Sequence, residues 1–130
     1  MNMDKIALFK KFNESYFAFS IDKLFNKLLE QIIFEVKIQN ASIHLSKEKT
    51  TFSAIGFRKR VNYYFVEFYT DASINDKRIV KEVKRDNMYQ GRKIEYIINR
   101  VEIRNENEIN DKLIEWIIKS YKLMENICTL

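Results

Sequence analysis

Hydrophobic positions along the chain change period twice, and each change marks a boundary between elements. After Ser20, a capping residue type, Ile21, Leu24, Phe25, Leu28, Leu29, Ile32 and Ile33 recur at the spacing of one helical face, which predicts a core-facing helix. From Phe34 the period becomes two. Phe34, Val36 and Ile38 alternate with Glu35, Lys37 and Gln39; after a turn at Asn40, Ile43 and Leu45 alternate with Ser42, His44 and Ser46. Polar turns at Lys47–Lys49 and Arg58–Val61 then separate strands predicted over Thr51–Phe57 and Asn62–Thr70. Turns this short join antiparallel neighbours, so the strands form a meander.

Asp71–Gln90 has no strand alternation and is predicted as a loop with a short helix at Ile79, Val80 and Val83. Strand character returns over Arg92–Arg104, through Ile94, Tyr96 and Ile98 and then Val101 and Ile103, a change of phase that calls for a bulge near Asn99. A closing helix capped by Asn107 or Asn110 presents Leu113, Ile114, Trp116, Ile117, Tyr121 and Met124. The predicted class is α+β: an antiparallel sheet of about five strands with an N-terminal and a C-terminal helix packed on it. The 130 residues suit one domain, an aromatic segment over 1–19 followed by the α+β core over 20–130, and no proline or Gly/Ser linker interrupts it.

The predicted fourth strand is apolar on both faces, with Tyr64, Val66 and Phe68 on one and Tyr63, Phe65 and Tyr69 on the other. Helices on one side leave the second set to be covered by the aromatic N-terminal residues Phe9, Phe12, Tyr16, Phe17 and Phe19, by a second copy of the chain, or by a ligand.

Charge narrows the ligand classes. The net +5 is concentrated in residues 56–104, which hold twelve basic and seven acidic side chains. Arg58, Lys59 and Arg60 are consecutive, and Arg92 and Lys93 follow further along. Such clusters bind phosphates, and Tyr63 or Tyr69 would add base stacking. Catalytic and metal chemistry have little to work with. Cys128 and His44 each stand alone, two isolated glycines do not build a phosphate-cradling loop, and no cofactor is implied. Glu35 and Lys37 match half of a nuclease metal site, with only Asp22 as a second carboxylate, and the same spacing recurs at Glu82 and Lys84; these read as solvated strand positions. No apolar run is long enough to cross a membrane, and Met1–Phe19 carries Asp4, Lys10, Lys11 and Glu14. A soluble cytoplasmic protein is expected.

The run Ser42–Met124, with Arg85–Asp86, Gly91, Glu95 and a closing Trp116, Ile117, Ser120 and Tyr121, resembles a family of small bacterial α+β domains of unknown function. Members occur alone or at the C-terminus of larger, sometimes nuclease-like proteins. Asn99 stands near the point where they commonly carry histidine or glycine. The resemblance carries no established activity, and with so little catalytic or metal chemistry in the chain a non-enzymatic binding module is expected. Two readings stay open: a nucleic-acid-binding or nuclease-accessory module using a basic edge of Arg58, Lys59, Arg60, Arg92 and Lys93, or a protein-interaction or self-association module using the aromatic sheet face.

Overall fold

A computed structural model describes residues 18–39, 42–57 and 63–129. Helix α1 spans Ala18–Leu29, and six strands follow: β1 (Glu35–Gln39), β2 (Ser42–Lys47), β3 (Thr50–Phe57), β4 (Tyr64–Thr70), β5 (Ile79–Tyr89) and β6 (Arg92–Ile103). A short 3-10 turn at Glu106–Glu108 leads into α2, Asp111–Thr129. All six strands form one antiparallel sheet in the order β1-β2-β3-β4-β6-β5, so the fold is α+β.

The α1 stripe behaves as its period predicts, with Ile21, Leu24, Phe25 and Leu28 buried. The helix nevertheless ends four residues earlier than the stripe suggests. The amides of Gln31 and Ile32 both donate to the Leu28 carbonyl, which closes the last turn; Ile32 is buried from outside the helix, while Ile33 is 85% exposed. Ser20 lies inside α1 and is not its cap. At the other helix Asn110 is the cap, its side-chain oxygen accepting from the Leu113 amide at 3.1 Å. Asn107 sits instead in the preceding 3-10 turn, which Asn105 and Glu108 close as a capping box.

Both helices pack on one face of the sheet, here the helix face. A chain of edge-to-face rings runs from Phe25 through Phe34 and Phe52 to Tyr121, and Trp116 stacks on Phe68 with centroids 5.3 Å apart. Beneath them lie Ile43, Leu45, Ile55, Tyr64, Val66, Val101 and Ile103, all essentially inaccessible. A bulge between β2 and β3 leaves Phe52 without a strand partner and turns it into this core. Ser120 of α2 is completely buried at the same place. Its hydroxyl donates to the Phe52 carbonyl (2.6 Å) and accepts from the Tyr69 amide (2.8 Å), joining β3 to β4 just beyond their last paired residues, Ser53 and Phe68.

Two expectations are corrected. Ile79–Tyr89 is an eleven-residue edge strand, where a loop with a short helix was predicted. An edge strand leaves most side chains exposed on both faces, so no alternation marks it. Its order comes from pairing with β6 across a two-residue turn in which Gln90 and Gly91 have φ of 49° and 79°. The second correction is that β6 runs through Asn99 with no shift against either neighbour. Asn99 is a fully buried polar residue on the helix face, its amide donating to Thr70 Oγ1 at 2.8 Å. The bulge lies at the far end of β5, between Ile79 and Lys81.

Candidate nucleic-acid interface

Register fixes the face opposite the helices. On β4 it carries Phe65, Glu67 and Tyr69; on β6, Tyr96, Ile98, Arg100 and Glu102; on β5, Lys81, Val83 and Arg85. Tyr63 and Arg104 continue it just outside the ends of β4 and β6. Tyr96 and Ile98 therefore point away from the core, since the inward positions of β6 are Ile97, Asn99, Val101 and Ile103.

Its arginines are ordered on aromatic rings. Arg100 lies over Phe65 at 3.9 Å from the centroid, and its Nε and one terminal nitrogen donate to Glu67 Oε2 at 3.1 and 3.0 Å. Arg104 lies over Tyr63 at 4.1 Å and is ion-paired with Glu102. A planar cation on a ring face gains electrostatically from the ring quadrupole, and a carboxylate at its edge fixes the plane. The two pairs differ in access: the Arg100 side chain is 19% exposed and that of Arg104 58%. Between them a crevice of about 200 Å³ is lined by Tyr63, Phe65, Val80, Lys81, Arg100 and Glu102.

Gly56 of β3 lies opposite Phe65, and a Cβ there would stand 2.0 Å from Cζ of its ring. The ring occupies the space a side chain would take.

Farther along, Tyr69 and Tyr96 meet with centroids 5.2 Å apart, and the Tyr96 hydroxyl accepts from Asn87. Burial, reinforced by Tyr96 and Glu67, pushes the Tyr69 hydroxyl up to about 12. Arg85 is the register partner of Tyr96, and Lys81 that of Arg100. Both are exposed, and among the described residues no carboxylate is in ion-pair range of either. A wider depression of about 700 Å³ opens on the other side of these strands, where Asp71–Ser73, Lys84, Asp86, Glu95 and Ile97 line it.

Of the residues predicted from sequence, Tyr63 and Tyr69 stand on this face and Arg92 and Lys93 do not join them. Arg92 donates to the Ile127 carbonyl in the last turn of α2 at 2.9 Å. Lys93 bridges Glu95 (3.4 Å) and Asp86 (3.5 Å), and the Glu95 carboxylate, with Asp86 beside it, holds its ammonium above the usual lysine range. Both cations are thus engaged within the chain. Arg58, Lys59 and Arg60 lie outside the described residues, as does the aromatic segment 1–17.

Glu35 and Lys37 are exposed on β1, and His44 is half-buried opposite Lys37. Among the described residues no three His, Cys, Asp or Glu side chains converge as metal ligands, and no helix is long and apolar enough to cross a membrane.

The residues missed from sequence are Arg100, Arg104, Tyr96, Lys81 and Arg85 acting together. Their signal is the alternation Tyr96, Ile98, Arg100, Glu102, Arg104, which becomes legible once Asn99 is counted as an inward position. No family model, curated protein or solved structure matches the chain. The resemblance to small bacterial domains remains one of pattern, and a functional reading has to rest on this face.

Proposed function

We propose that this protein is a non-enzymatic nucleic-acid-binding module of the cytoplasm that uses the outer face of its sheet. One observation carries the reading: the β4, β6 and β5 part of that face interleaves aromatic rings with Lys81, Arg85, Arg100 and Arg104 against only two carboxylates, Glu67 and Glu102. Rings with intervening cations are how sheet platforms hold bases and phosphates at once. Arg92 and Lys93 are not part of this surface, and Arg58, Lys59 and Arg60 lie outside the described residues. The two carboxylates are taken up by Arg100 and Arg104, which leaves Lys81 and Arg85 to meet phosphates.

The test is a salt titration of oligonucleotide binding followed by fluorescence anisotropy. Log affinity should fall linearly with log salt, and Lys81→Ala with Arg85→Ala should flatten the slope by about 1.4, at roughly 0.7 per phosphate contact on a single strand. Absence of binding at low salt overturns the reading. The second reading, self-association, is favoured by one observation: Arg100 and Arg104 are already neutralised, as they would be at a protein interface. A concentration-dependent dimer that persists in high salt, without oligonucleotide binding, is its result.

A further inference from the structure

We propose that Arg104, laid on Tyr63, is a base-stacking position, and that the ligand of the outer face is a single strand; this rests on the nucleic-acid reading above. The position is fixed from three directions. Tyr63 supports the guanidinium from below at 4.1 Å, Glu102 pairs with its edge, and the Arg104 backbone amide donates to Glu108 Oε1 at 2.7 Å. A long side chain that would otherwise sample many rotamers is held before any ligand arrives, so binding gives up less conformational freedom. More than half of the side chain is exposed all the same, which leaves the plane accessible.

A guanidinium plane offers a flat π-surface and a positive charge, which suits a nucleobase whose own face is uncovered. In a duplex those faces are occupied by neighbouring base pairs, and only the phosphates would reach this surface. In a single strand they are available, and the Tyr69–Tyr96 pair supplies further ring surface on the same face. Tyr96 and Arg104 are eight residues apart, about 26 Å along β6. That length accommodates a short site, within the range of roughly 4–16 nucleotides covered by sheet platforms of this kind. Arg100 is the internal contrast. It has the same chemistry, yet its side chain is only 19% exposed, so it supports the platform without receiving a base.

The experiment compares labelled (dT)12 with a 12-base-pair duplex on the full chain at low salt, for the wild type, Arg104→Lys and, as a control away from this face, Arg92→Lys. Lysine keeps the charge and loses the plane. The expected result is single-strand binding at least tenfold tighter than duplex binding. Arg104→Lys should weaken the single-strand affinity about five- to thirtyfold with the salt slope unchanged, and Arg92→Lys should leave it within about twofold. Wild-type affinity in Arg104→Lys, equal losses in both variants, or equal affinity for duplex would overturn the stacking assignment while oligonucleotide binding itself persists. No binding of either probe removes the nucleic-acid reading, and this inference with it.

Discussion

Gly56→Ala is the sharpest test of how the outer face is built. Alanine replacing glycine inside a strand normally stabilises a protein by roughly 0.5–1 kcal/mol, because glycine loses more backbone freedom on folding. At this site the new methyl would stand 2.0, 2.3 and 2.7 Å from three atoms at the tip of the Phe65 ring, so the ring has to leave. Moving it gives up packing across the β3–β4 pair and disturbs the contact with Arg100 at 3.9 Å. Overpacking of this kind costs about 1–3 kcal/mol, enough to reverse the glycine gain and leave a net loss of about 1–2 kcal/mol. With Phe65→Ala in the background the obstacle is gone, and the same substitution should be neutral or stabilising by about 0.5 kcal/mol. Urea unfolding of the four proteins of this cycle gives the coupling directly. If the cost of Gly56→Ala is the same in both backgrounds to within about 0.4 kcal/mol, the ring does not occupy that space and the account of this face is wrong.

Trp116→Ala should cost about 3–5 kcal/mol by urea unfolding, since Trp116 is 5% exposed and stacked on Phe68; tryptophan emission typical of full water exposure in the native protein would contradict its placement. Tyr69 titrates near 10 when unfolded and at about 12 when folded, so its contribution is present below pH 10 and lost as pH rises towards 12. The loss is at most about 2–3 kcal/mol, and the alkaline fall in stability should be shallower in Tyr69→Phe than in the wild type. The β2–β3 turn places Glu48 and Lys49 at φ of 49° and 72°, where L-residues are strained. Replacing the pair with Asn-Gly should raise stability by about 1–2 kcal/mol in the same assay, and an unchanged midpoint would argue against strain there.

The elements that read correctly from sequence are those half-buried at a regular period. The α1 stripe and the alternation of β1, β2 and β4 each follow from one face meeting the core. Where the physics differs, so does legibility. β5 is exposed on both faces and takes its order from its partner, so hydrophobicity says nothing about it; the glycine of the Gln90–Gly91 turn was the available clue. Asn99 sits in a position reserved for apolar residues, its amide nitrogen donating to Thr70 Oγ1 while its Oδ1 has no partner among the described residues. Reading it as a bulge shifted the phase of the first half of β6 and hid Tyr96 among core positions. The interface residues were illegible as a set for a further reason. Arg100 and Arg104 acquire their role by lying across rings thirty-five and forty-one residues earlier in the chain, a proximity that only the β4–β6 register creates.

The Ser120 hydroxyl also has a consequence for how the protein opens. A sheet amide ordinarily exchanges its proton with solvent when its neighbouring strand separates, but the Tyr69 amide is held by a side chain of α2. Its exchange rate therefore reports the lifting of the helix, independently of any fraying between β3 and β4. With the Phe52 carbonyl bound to the same hydroxyl, the helix and the two central strands are clamped into one unit that opens together. Under native conditions Tyr69 should be among the slowest amides of β4, and Ser120→Ala should accelerate it far more than the amide of Val66, which lies within the strand pairings to Ile55 and Val101 and has no hydrogen bond to the Ser120 hydroxyl.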